Sequence, residues 1–130
     1  MLVDSRGAPL SLIVTGANRH DVSQPEAVLD ALILPLPQRD PFLYADRGYE
    51  GEPAQTILAS YGYLSRVHRK KRKRVRPPKN RRWVVETAHS WFNRFRKLLV
   101  QYEKLAESYE ALAHLAAAII CWRKVAPIYG

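Results

Sequence analysis

Residues 66–82, RVHRKKRKRVRPPKNRR, contain eleven lysines and arginines in seventeen positions and no acid. The other ten basic residues of the chain face twelve acids, so this one segment carries the whole net charge of +9. It is internal, it is flanked by apolar segments with regular spacing, and Pro77 and Pro78 break it. Those neighbours favour a surface loop set into a folded chain over a disordered tail. So concentrated a field suits a polyphosphate partner. A solvated charge run is the plainer alternative.

The rest of the chain has the composition of a globular protein. Its 130 residues are about the size of one domain, and a chain of that length buries roughly two-thirds of its unfolded surface. Apolar residues make up 47% and charged residues 25%, which excludes an intrinsically disordered class. Cys121 is the single cysteine, so neither a disulfide framework nor a cysteine metal cage forms within the chain, as in a reducing cytosol. Met1-Leu2-Val3-Asp4 opens without the basic and apolar regions of a signal peptide. The longest apolar run, Leu115 to Trp122, is far short of the ~20 residues a membrane span needs.

Apolar spacing and turn residues predict the elements. Met1–Val3 and Leu10–Val14 read as paired strands around the turn Asp4-Ser5-Arg6-Gly7-Ala8-Pro9. A helix over 25–34 has Ser23 as its cap and Pro25 and Glu26 in its first turn, and it ends before Pro35. Phe42–Ala45 reads as a strand, residues 50–61 as a helix stopped by Gly62, and Tyr63–Val67 as a further strand. Beyond the basic loop, long helices are predicted over 81–100 and 108–125. The expected class is α/β, a mixed sheet flanked by helices with two helices at the C-terminal end.

Two acids stand out. In FLYADRGYE, residues 42–50, Asp46 ends an apolar strand and precedes Arg47 and Gly48. It reads either as a turn residue or as an acid held by a buried element, with Gly48 allowing a ligand close to the backbone. In sheets of this kind ligands gather outside the carboxyl ends of the strands. Glu86 lies on a helical stripe with Arg82, Ser90, Asn93 and Lys97, opposite Val84, Ala88, Trp91, Phe95 and Leu98. It reads as a surface partner of Arg82, or as a metal-binding carboxylate beside a phosphate-attracting surface. In the loop 16–21, Asp21 reads as a helix cap and His20 as a packed surface residue. There is no His-Glu-x-x-His, Gly-rich phosphate loop or Cys/His zinc spacing. Trp83, Trp91 and Trp122 are expected to pack, with base stacking a further reading for Trp83, and His114 is expected in the core.

Four segments together carry a resemblance: LVDSRGAPLSLIVTGANRHD, LYADRGYEG, RRWVVETAHSWFNRFRKLLVQYEK and LAHLAAAIICWRK. In order and spacing the chain resembles the C-terminal portion of a bacterial insertion-element transposase of the DDE class, whose catalytic fold is RNase H-like. The resemblance covers nearly all 130 residues, so residues 1–130 are expected to be a partial catalytic domain. It implies that Asp46 is the second catalytic acid and Glu86 the third, both as ligands of a two-metal Mg²⁺ or Mn²⁺ site. It implies DNA contacts from Arg82, from Asn93 where the family often has lysine, from Arg94 and Lys97, and from Lys70, Lys71, Arg72, Lys73 and Arg74 of the basic loop.

The family's first catalytic Asp lies on a strand before LVDSRG, so the resemblance implies that this strand and its acid are absent, leaving the metal site incomplete. Asp4 is not its replacement. The chain is then expected to be inactive alone, as the downstream frame of a split gene or a truncated copy. Its expected partners are transposon-end and target DNA, an upstream frame or a fusion with it, and further copies of itself through an exposed sheet edge. A cytoplasmic, nucleoid-associated location in a bacterium follows. The alternative reading is a non-catalytic DNA-binding product that regulates or inhibits transposition. A basic RNA-binding module is a third.

Overall fold

The computed structural model describes residues 1–16, 24–35, 41–67, 83–100 and 103–129. The chain forms two compact units, Met1–Val14 with Trp83–Gly130, and Thr15–Arg82.

In the first unit, β1 (Leu2–Val3) pairs antiparallel with β2 (Pro9–Ser11). Asp4 builds the turn between them. Its carboxylate accepts the backbone N–H groups of Arg6 and Ala8, each at 2.8 Å. Gly7 completes the turn with φ of 81°, a left-handed value that a side chain resists. Three helices follow: α3 (Trp83–Phe92), α4 (Arg96–Leu99) and α5 (Ala106–Tyr129); the two earlier helices, Pro25–Asp30 (α1) and Glu52–Ser60 (α2), belong to the other unit. The apolar period of α3 buries Val84 and Ala88, and the helix packs against β1 and α5. Ala113, Ala116 and Ile120 form the buried stripe of α5. The two alanines let neighbouring backbones approach closely.

The second unit begins with α1 (Pro25–Asp30). Next come β3 (Phe42–Ala45), a 3-10 turn (Arg47–Tyr49), α2 (Glu52–Ser60) and β4 (Leu64–Val67). β3 and β4 are parallel, with Phe42 opposite Leu64, Leu43 opposite Ser65, Tyr44 opposite Arg66 and Ala45 opposite Val67. Parallel partners need a crossover, and α2 supplies it, packing on β4 and α1 through buried Ala54 and Leu58. The helix stops as its glycine requires. Gly62 has φ of 79°. Its N–H donates to Ala59 O at 2.9 Å, and Tyr63 N–H donates to Leu58 O at 3.0 Å, which closes the last carbonyls.

The mixed α/β class is present, but two features of the expected architecture need correction. Among the described residues the strands form two separate two-stranded sheets, one antiparallel and one parallel, in place of a single mixed sheet. A joined sheet needs a strand bonded to both pairs, and no described strand does this. The helix predicted over 81–100 is broken into α3 and α4. Arg94 N–H bonds to Trp91 O and Phe95 N–H to Phe92 O, bonds of three residues' span, and Phe95 is extended at φ −85°, ψ 98°. Asn93 sits at the break, where a short amide competes for backbone hydrogen bonds.

Smaller differences have local causes. The helix predicted over 25–34 ends at Asp30, leaving Ile33 96% exposed, since Pro35 disfavours helical backbone before it. Gln24 occupies its cap position without a side-chain bond; the expected cap, Ser23, lies outside the described residues, as do Asp21 and His20. Trp122 is 73% exposed, because it falls on the side of α5 opposite the alanine stripe. His114 is exposed as well, with Nε2 3.9 Å from the Glu110 carboxylate. Among the described residues no helix is long and apolar enough to cross a membrane.

Candidate functional site

Asp46 is the first residue beyond β3 and is exposed. Its backbone carbonyl accepts the Tyr49 N–H at 3.0 Å, closing the 3-10 turn that contains exposed Gly48. Gln55 Nε2, on α2, donates to Tyr49 O at 2.6 Å. The acid is thus held between a strand end and a turn pinned to the crossover helix. This is the carboxyl end of a strand in a parallel pair, where ligands of α/β proteins gather.

Glu86 lies in the first turn of α3 and is exposed, between buried Val84 and Ala88. A carboxylate there complements the positive end of the helix. Ser90 and Asn93 share its exposed side. The break after α3 removes Lys97 from that stripe, since Lys97 belongs to α4. There, with Arg96 and Leu98, it borders a cleft of about 210 Å³ closed by Leu112, Leu115, Ala116 and Ile119 of α5. Asn93 and Arg94 are exposed at the break itself.

Asp46 belongs to the unit Thr15–Arg82, and Glu86 to the unit that contains Trp83–Gly130. Arg82 and the loop residues Lys70, Lys71, Arg72, Lys73 and Arg74 lie outside the described residues. Carboxylate oxygens are the donors that Mg²⁺ and Mn²⁺ prefer, so Asp46 and Glu86 fit such an ion in kind. In number they do not complete a site: among the described residues no three His, Cys, Asp or Glu side chains gather to hold a metal. Asp4, bonded into its own turn, has a structural task.

One cluster beside Asp46 has no counterpart in the predicted site. The guanidinium of Arg66 on β4 lies 3.7 Å from the centroid of the Phe42 ring on β3, and its Nη1 donates to Tyr44 Oη at 3.4 Å. The only hint in the sequence is alternation along two strands. Their register had to be known before Arg66 could be placed over the rings.

The model of the transposase DDE domain family matches residues 1–121. Over 129 residues the chain is 34% identical to a Burkholderia cepacia protein that bears the name of transposase for insertion sequence element IS402, and the match takes in 94% of this chain. The chain spans 61% of that protein's length. No solved structure matches it. A family match over all but the last residues, together with that identity, means that the chain belongs to the DDE-domain transposases.

Proposed function

We propose that the chain is the C-terminal part of an RNase H-like transposase catalytic domain, which cleaves and transfers DNA strands during movement of an insertion element. In this reading Asp46 and Glu86 are two of three catalytic acids, and the third comes from outside these 130 residues. The observation that carries it is the position of Asp46, at the carboxyl end of a parallel strand and in a turn anchored to α2 by Gln55. The family match supports it.

The chemistry follows from charge. A phosphodiester resists attack because its oxygens are anionic. The basic segment 66–82, with Arg94 and Lys97, neutralises the DNA backbone and holds it in place. Asp46 and Glu86 would offer carboxylate oxygens to Mg²⁺ or Mn²⁺, and such ions, when bound, activate the attacking hydroxyl and stabilise the leaving oxygen. With two acids in place of three, ligand charge is lost and the 130-residue chain is inactive alone.

The experiment compares two proteins with transposon-end DNA and Mg²⁺. The 130-residue chain is expected to bind without cutting. The chain joined to the remaining portion of its transposase is expected to cut, and Asp46→Asn or Glu86→Gln in that protein to reduce cutting to background. Undiminished cutting by Asp46→Asn would remove the catalytic reading. A second reading is favoured by the charge concentrated in residues 66–82: a DNA-binding product that competes with complete transposase for its ends. Inhibition of transposition by the 130-residue chain, unchanged by Asp46→Asn, is the outcome that distinguishes it.

A further inference from the structure

The β3–β4 pair carries a surface that the catalytic reading leaves unused. Along it, Leu43, Ala45 and Ser65 are half-buried, while on the alternate positions Tyr44, Leu64 and Arg66 are exposed and Phe42 is half-buried. Parallel strands are ordinarily covered on both faces, so a face left open among the described residues has room for an occupant. Tyr44 is 54% exposed and Leu64 56%. The Arg66 guanidinium, 3.7 Å from the Phe42 centroid and 6.0 Å from that of Tyr44, joins the two rings into one surface.

Charge selects the occupant. Arg66 is the first of the eleven basic residues in the acid-free segment 66–82, so this face carries a cation where the most basic stretch of the sequence begins. An apolar peptide would use the rings and not the charge. Duplex DNA would use the charge and not the rings, because its base faces are hidden in the stack. Unpaired nucleotides use both, with phosphates for the cations and bases for the aromatic and guanidinium planes.

We infer that the open face of β3–β4, through Phe42, Tyr44 and Arg66, is a stacking platform for unpaired bases of single-stranded DNA. This rests on the reading of the chain as DNA-binding and deepens it. Tyr44 lies two residues before Asp46, about 7 Å along the strand. A base held at Tyr44 keeps its strand next to the acid.

The test measures binding of the 130-residue chain to a short single-stranded oligonucleotide carrying 2-aminopurine and to the duplex of the same sequence. The wild-type chain is expected to quench the 2-aminopurine in the single strand. Tyr44→Ala, and Arg66→Lys, which keeps the charge but loses the planar cation, are each expected to weaken single-strand binding about 5- to 100-fold and to abolish the quench. For Tyr44→Ala, duplex affinity is expected to change less than about twofold, since phosphate contacts dominate it. Tyr44→Phe keeps the ring and is expected to bind the single strand as wild type does, which separates stacking from a folding defect. Equal single-strand affinity in all four proteins, or an equal fall on single strand and duplex, would overturn the platform while leaving DNA binding intact. Failure of the wild type to bind either form would overturn the DNA-binding reading and the platform with it.

Discussion

The Lys124 ammonium lies 4.1 Å from the centroid of the Trp91 ring and donates to the carbonyl oxygen of Arg6. One cation thereby ties α5 to α3 and to the turn between β1 and β2. Lys124→Met keeps most of the apolar stem and removes both the cation–π contact and the donor. The expected cost is about 1–2 kcal/mol, read as a lower midpoint in urea with an unchanged slope. An unshifted midpoint would mean that the contact contributes nothing to folding.

Gly7 meets the same region from the other side. A Cβ there would stand 3.3 Å from the Val84 carbonyl oxygen, and its φ is +81°. Gly7→Ala is expected to destabilise the chain by about 1–2 kcal/mol, through left-handed strain and a crowded contact together. Thermal unfolding followed by circular dichroism checks this. Gly51→Ala, whose Cβ meets nothing nearer than Pro53 at 3.7 Å, serves as the mild control.

Glu86 and Ala88 sit two residues apart on α3 and should respond oppositely. Ala88 is 0% exposed, so Ala88→Leu overfills the packing of α3 and is expected to cost about 1–3 kcal/mol. Exposed Glu86→Gln should change stability by less than about 0.5 kcal/mol, even where it removes strand cleavage from the complete transposase. A large loss of stability in Glu86→Gln would assign that residue a structural task.

Cys121 should be slow to react. Burial raises its thiol above the ordinary value, and the Asp4 charge raises it further, with Lys124 opposing. Its Sγ lies 3.4 Å from the Pro9 carbonyl oxygen, positioned as a donor to it. Only the thiolate is alkylated, so labelling with iodoacetamide at neutral pH should be slower than for the unfolded chain. Asp4→Asn should speed it. Equal rates in folded and unfolded protein would contradict the burial.

Tyr61 should ionise late. Its hydroxyl donates to the Asp30 carboxylate, and that bond, followed by burial and the Asp30 charge, pushes its pKa from 10.0 up to about 12. A raised phenol favours the folded chain while it is neutral. Its contribution is therefore fully present below pH 10 and is lost as pH rises toward 12. Absorbance titration of the seven tyrosines should show a late component that disappears in Asp30→Asn.

Some of this architecture was legible in the residues. Phe42–Ala45 was placed at its observed ends, because a run of strand formers meets Asp-Arg-Gly and turns. The hairpin around Gly7 and the stop at Gly62 were likewise legible, since a positive φ is a local demand that glycine meets. Other features were not. The break at residues 93–95 is hidden because Phe95 and Leu98 still fit the helical period, and only backbone bonding shows that the period is interrupted.

The sequence by itself determined the strand end before Asp46, the polar helical stripe of Glu86, the basic segment that holds the net charge, and the alternation of strand and helix, because period, charge and turn chemistry act over a few neighbouring residues. Only the tertiary structure decided that the strands close into two separate pairs, that Trp122 and His114 point outward, and that Tyr44 stands beside Arg66. Such outcomes depend on which distant segments meet and in what register. That is a matching through space which no local propensity contains.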